Sequence, residues 1–144
     1  MKTLLTLITL ALASPAALAH DDATLDKIQA PNGGQLRMAG MYHLELVVAK
    51  EGAAGKEQQL AVYLTDHADK KIAAAGTSGT ATILAGKTKT TVKLTPAGDN
   101  KLAGVGAYAS QPDMKVIVSV TFADKSTKQA RFTPLAASTG GHSH

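Results

Sequence analysis

The chain has 144 residues, with five His, no Cys, no Trp, three Tyr, two Phe and a formal net charge of +4. Without Cys there is no thiolate metal site, thiol nucleophile or thiol redox chemistry, so any bound metal must be held by His, Met, carboxylate or backbone groups. The few aromatics give no stacking platform for bases or sugars, and the mild positive charge has no concentrated Lys/Arg block, which argues against a nucleic-acid partner.

The chain opens with a basic start at Met1-Lys2, an uncharged apolar run from Thr3 to Leu12, a break at Ser14-Pro15 and a small-x-small site at Ala17-Leu18-Ala19. This layout predicts a secretory signal peptide over residues 1–19, too short and wrongly flanked for a transmembrane anchor. The expected location is periplasmic or secreted. Processing after Ala19 makes His20 the N-terminus, where a free amine and an imidazole on one residue can chelate a metal. No second long apolar span follows, so no membrane span is expected in the mature chain.

Residues 20–31 are mixed and polar and read as a flexible arm, with a short helical turn expected over Thr24–Gln29. Strands are predicted next. Gln35–Met38 alternates, and Tyr42–Val48 alternates before becoming continuously apolar. Gln59–Thr65 follows a Gly-containing loop, and Lys71-Ile72-Ala73 reads as a short edge piece. Thr80–Leu84 and Lys87–Leu94 flank Ala85-Gly86 as a hairpin, and the second arm sets Lys87, Lys89, Thr91 and Lys93 on one face. Thr95–Asn100 is a turn cluster, Met114–Phe122 puts alternate apolar residues on one face, and Thr127–Phe132 ends the set. The fold class expected is all-β: an antiparallel immunoglobulin-like β-sandwich of about seven or eight strands over residues 32–134, with a closed barrel as the alternative. Residues 135–144 read as a flexible tail carrying His142 and His144.

Five residues are candidate metal ligands. His43 and Glu45 are two apart in a strand and so project to the same side, with Met41 joining them if that strand begins early. Imidazole with carboxylate suits zinc or copper(II), and imidazole with thioether suits copper(I) or silver. The alternative is an ordinary polar sheet face. His67 follows the Gln59–Thr65 strand, and pairing of the two strands would put it at the same end as His43. Thr65-Asp66-His67 is otherwise ordinary turn chemistry, with Asp66 bonding nearby amides. His20 is the fifth candidate, through its amine and ring. Met38 and Met114 read as core fillers. No nucleophile elbow, phosphate loop, His-Glu-x-x-His motif or paired acid/base site occurs, so no enzyme activity and no organic cofactor are expected.

The segments Pro31–Leu36, Tyr42–Val47, Val62–His67, Gly79–Thr82 and Leu94–Leu102, in that order, resemble the small β-domain of periplasmic adaptor subunits of bacterial heavy-metal efflux systems and related free-standing secreted proteins. The resemblance covers about residues 31–122. It implies binding or shuttling of copper, silver or zinc, linked to an envelope metal-efflux complex. His43, Glu45 and His67 occupy matching positions. The place beside the glycine pair, often His in such domains, is Asn32 here. The coiled-coil hairpin and membrane-proximal parts of an adaptor are missing, which implies capture and hand-off by a separate protein. A non-metal structural or protein-interaction β-domain is the other expectation, and a copper oxidase built on the N-terminal His a third.

Overall fold

A computed structural model describes residues 22–137. The predicted leader, His20, and the tail residues His142 and His144 lie outside the described residues. Among the described residues the chain is all-β apart from one short helical turn. Eight strands form in order among these residues: β1 Gln35–Ala39, β2 Tyr42–Val48, β3 Glu57–Asp66, β4 Ser78–Ala85, β5 Thr88–Pro96, β6 Lys101–Ala107, β7 Lys115–Thr121 and β8 Thr127–Phe132. All neighbouring pairs are antiparallel.

The strands lie in one sheet, ordered β1-β2-β3-β6-β5-β4-β7-β8. This departs from the expected immunoglobulin-like sandwich, in which two separate sheets face each other. β5 makes the difference. Its residues Thr88–Leu94 pair with β4, and then Thr95 and Pro96 cross to pair with β6, so one bent strand belongs to both halves. The curled sheet brings its two edges together, and the Thr133 amide beyond β8 donates to the Gln35 side-chain oxygen on β1 at 2.8 Å. The result is a nearly closed barrel, closer to the alternative reading. Alternating apolar residues serve both architectures equally, so periodicity did not separate them.

The interior is filled as alternation requires. Leu44 and Leu46 of β2, Val62 and Leu64 of β3, Leu94 of β5, Leu102 of β6, and Val118 and Val120 of β7 are fully buried in one apolar cluster. Each such side chain contributes about 1.5–3 kcal/mol on leaving water. Met114 belongs to this core, and Met38 is only half-buried on the outer face. The sequence pattern predicts no strand at β6, because Lys101–Ala107 carries only Leu102 as a large inward residue and glycines at 104 and 106. The Lys71 edge piece is a single bridge to Thr65.

The helical turn α1 spans Asp22–Leu25, beginning two residues and ending four residues before the expected limits. Residues 22–31, read from sequence as a loose arm, are anchored on the sheet. Leu25 is buried, and the Arg37 guanidinium bonds to Asp26 at 2.7 Å. Among the described residues no helix is long and apolar enough to cross a membrane.

Candidate metal centre and its surroundings

The candidate ligands of β2 face outward. Tyr42, Leu44, Leu46 and Val48 point to the core side, leaving His43 and Glu45 on the other side. Both are nonetheless 97% buried, each being only 3% exposed, because other parts of the chain cover the outer face. The register sets Met38, His43 and Thr65 in one row across β1, β2 and β3, and Leu36, Glu45 and Tyr63 in the next.

His43 meets the loop after β3. The His67 ring lies against it edge to face, with centroids 5.2 Å apart and planes at 82°. Asp69 places a carboxylate oxygen 3.7 Å from His43 Nδ1. The sequence reading that put both imidazoles at one end of the sheet therefore matches the register, in which Tyr42 pairs with Asp66 and His43 with Thr65. The loop is shaped by Asp66. Its Oδ1 accepts from the amides of Ala68 at 2.8 Å and Lys70 at 3.0 Å. The bond from Lys70, then that from Ala68, holds the Asp66 carboxyl below its ordinary range. Asp69 takes a left-handed backbone at φ 58, which Asp tolerates better than most residues.

Glu45 is placed differently. Its Oε2 accepts from the amides of Asn32 and Gly34, both at 2.9 Å, and its Oε1 accepts from Asn32 Nδ2 at 3.0 Å. The carboxylate is thus a clasp holding the segment before β1 onto the sheet. As a metal ligand it would have to give up these bonds. Met41 lies in the turn between β1 and β2, where Gly40 at φ +62 supplies the tight reversal. The strand begins at Tyr42, and Met41 is 71% exposed. Met38 is the thioether in the His43 row. Counting back from the Gly40-Met41 turn would have found this pairing, whereas Asp69 carried no signal beyond its loop.

A groove of about 460 Å³ runs beside the Glu45 clasp, bounded by Ile28, Asn32, Leu36, Glu45, Tyr63 and Asp69, and neither His43 nor His67 lines it. Among the described residues, no group of three or more His, Asp or Glu side chains is arranged to hold a metal ion. The pair therefore offers two imidazoles and a nearby carboxylate that do not converge on one point. No family model matches the chain, and neither a curated protein nor a solved structure is found to be similar to it.

Proposed function

We propose that the protein captures copper, silver or zinc in the periplasm through His43 and His67 and hands it on, without turnover. The observation that carries this reading is the contact between the two rings, 5.2 Å between centroids. With metal–nitrogen bonds of about 2.0–2.1 Å, two imidazoles sharing one ion at a tetrahedral angle have centroids about 5 Å apart. The edge-to-face arrangement has to turn for both to bind one ion, and the exposed His67 is the ring with room to do so. His43 is the fixed partner, buried and set by β2. Asp69 is near enough to join the shell or to orient the His43 ring. An incomplete shell suits transfer better than storage, since a receiving site can supply the missing ligands.

His20 is an auxiliary ligand in this reading. Asp22 Oδ1 accepts from the Met38 amide at 3.4 Å, and Met38 is the direct partner of His43. The resemblance to efflux adaptor domains supports the link to a metal-efflux complex.

The second reading, an interaction domain that binds no metal, is favoured by the engagement of Glu45 with Asn32 and Gly34. Titration of the processed chain with copper(I), copper(II), silver and zinc, followed by His ring resonances, separates the two. Saturable one-to-one binding that moves the His43 and His67 signals is expected. His43→Ala should weaken it by about 10–100-fold. Unchanged affinity in that variant, or binding confined to His142 and His144, overturns the metal reading.

A further inference from the structure

On the opposite side of the barrel the outward face carries one sign of charge. The register aligns Lys89 of β5, Leu84 of β4 and Lys115 of β7 in one row, and sets Ile117 of β7 beside Arg131 of β8 in the next. Lys93 lies on the same side of β5, four residues from Lys89. The four cations are exposed, and Leu84 between two of them is 40% exposed. Among the described residues none of the four is in an ion pair. The strands β4, β5, β7 and β8 contain no Asp or Glu. The alternation in sequence already sets Lys89 and Lys93 on one face, and strand pairing adds Lys115 and Arg131 from separate segments.

We propose that this face docks on an anionic phospholipid surface. Lys89 and Lys115 are two strand spacings apart, about 10 Å, comparable to the distance over which salt screens them, so their fields add. The complement is a surface with many negative groups at similar spacing, as a phosphate headgroup layer has. Leu84 and Ile117 supply modest apolar contact between the cations. No aromatic residue lies among the outward positions of these strands, so of the anchors that dominate protein–protein interfaces the face offers Arg131 and neither Trp nor Tyr. β4 is four places from β2 in the eight-strand order, so docking leaves His43 and His67 facing away from the membrane. Docking through this face requires no bound metal.

Cosedimentation of the processed chain with vesicles tests it. Phosphatidylcholine alone and an equal mixture with phosphatidylglycerol are compared at low ionic strength. Binding to the mixture only is expected, declining steadily with added salt. The combined variant Lys89→Glu, Lys115→Glu, Arg131→Glu should lose at least about tenfold in affinity. An equal charge change elsewhere, at Lys27, Lys50 and Lys56, should alter it by less than about threefold, since those residues lie off the face. Equal losses in the two variants, no binding to the mixture, or equal binding to both vesicles overturns the proposal. So does retention of wild-type vesicle binding by the first variant together with loss of binding to polyglutamate, which would assign the face to an acidic polypeptide. The salt series on the unaltered chain needs no variant to fold.

Discussion

Asn32 presents both its backbone amide and its side-chain amide to the carboxylate of Glu45, at 2.9 and 3.0 Å. The Gly34 amide completes the set. Bonds to a buried charged acceptor are worth more than neutral ones, and an amide left without its acceptor loses the full desolvation energy. Glu45→Ala should therefore destabilise the protein by about 2–4 kcal/mol. Glu45→Gln should also destabilise it, because one oxygen facing amide donors becomes a donor. Urea denaturation measures both. If Glu45 is a clasp, these variants release residues 22–34 to hydrogen exchange and leave metal affinity close to that of the unaltered chain once folded. A large loss of affinity in folded Glu45→Gln would make it a ligand instead.

The two imidazoles separate stability from binding. His43 is buried on β2 and His67 is exposed in its loop. His67→Ala should change stability by less than about 0.5 kcal/mol, and His43→Ala should cost about 1–3 kcal/mol through lost packing and polar contact. Both should weaken metal binding. A His67→Ala variant with full stability and full affinity would leave His43 without its proposed co-ligand.

Asp66 links acidity to the position of His67. Its carboxyl is held below its ordinary range, first by the amide of Lys70 and also by that of Ala68. A depressed folded value means that the contribution to stability is present above the ordinary carboxylate range and is lost as pH falls through the folded value. The 66–70 loop should loosen in acid, below about pH 4, before the sheet unfolds. Amide exchange of Ala68 and Lys70 should rise there, ahead of the β2 and β3 amides. Asp66→Asn keeps the accepting oxygen and should retain the turn at neutral pH, whereas Asp66→Ala should open it. Equal protection in both variants would show that Asp66 does not shape the loop.

Much of this was legible in the sequence. Tyr42–Val48 and Thr127–Phe132 have the limits expected from their patterns. The Met114–Phe122 alternation gives an inward row of five buried residues. The i and i+2 spacing placed His43 and Glu45 on one side of β2, and the hairpin-like pairing of β2 with β3 brought His67 to His43. What remained hidden depended on contacts between distant segments. A carboxylate in a strand has the same appearance whether it faces water, a metal or Asn32. The pairing of β5 with both β4 and β6, which turns two possible sheets into one, involves only Thr95 and Pro96 on the second side. β6 carries no strand pattern of its own, because its glycines serve close packing instead of turning the chain.

That close packing is testable at Gly104. A Cβ there would lie 2.4 Å from the Lys93 carbonyl oxygen and 2.6 Å from a Val92 methyl. The carbonyl belongs to β5 backbone, so β5 and β6 would have to move apart at the bend that closes the barrel. Gly104→Ala should cost at least about 1–3 kcal/mol. Val105→Ala, next to it but 54% exposed, should lie within about 0.5 kcal/mol of the unaltered protein. Equal midpoints for the two variants in urea would show that the approach of β6 to β5 is not a constraint on the fold.

Tyr108 predicts a loss of stability in base. Its hydroxyl donates to the Gln59 carbonyl at 2.7 Å and accepts from the Ala49 amide at 3.0 Å, tying the segment after β6 to the loop side of β2 and β3. Burial raises its pKa above the ordinary 10.0, and the Ala49 amide only partly opposes this. The folded protein therefore keeps the phenolic proton over a range in which the unfolded chain has lost it. The resulting stability is fully present below the ordinary value and disappears as pH rises through the folded one. Thermal midpoints measured from pH 8 to 11 should fall more steeply above about pH 10 in the unaltered protein than in Tyr108→Phe. At neutral pH the same variant should be less stable by about 1–3 kcal/mol, because the Gln59 carbonyl and the Ala49 amide both lose their partner. Parallel alkaline slopes would mean that another group sets the response, and unchanged neutral stability would mean that water replaces the hydroxyl at no net loss.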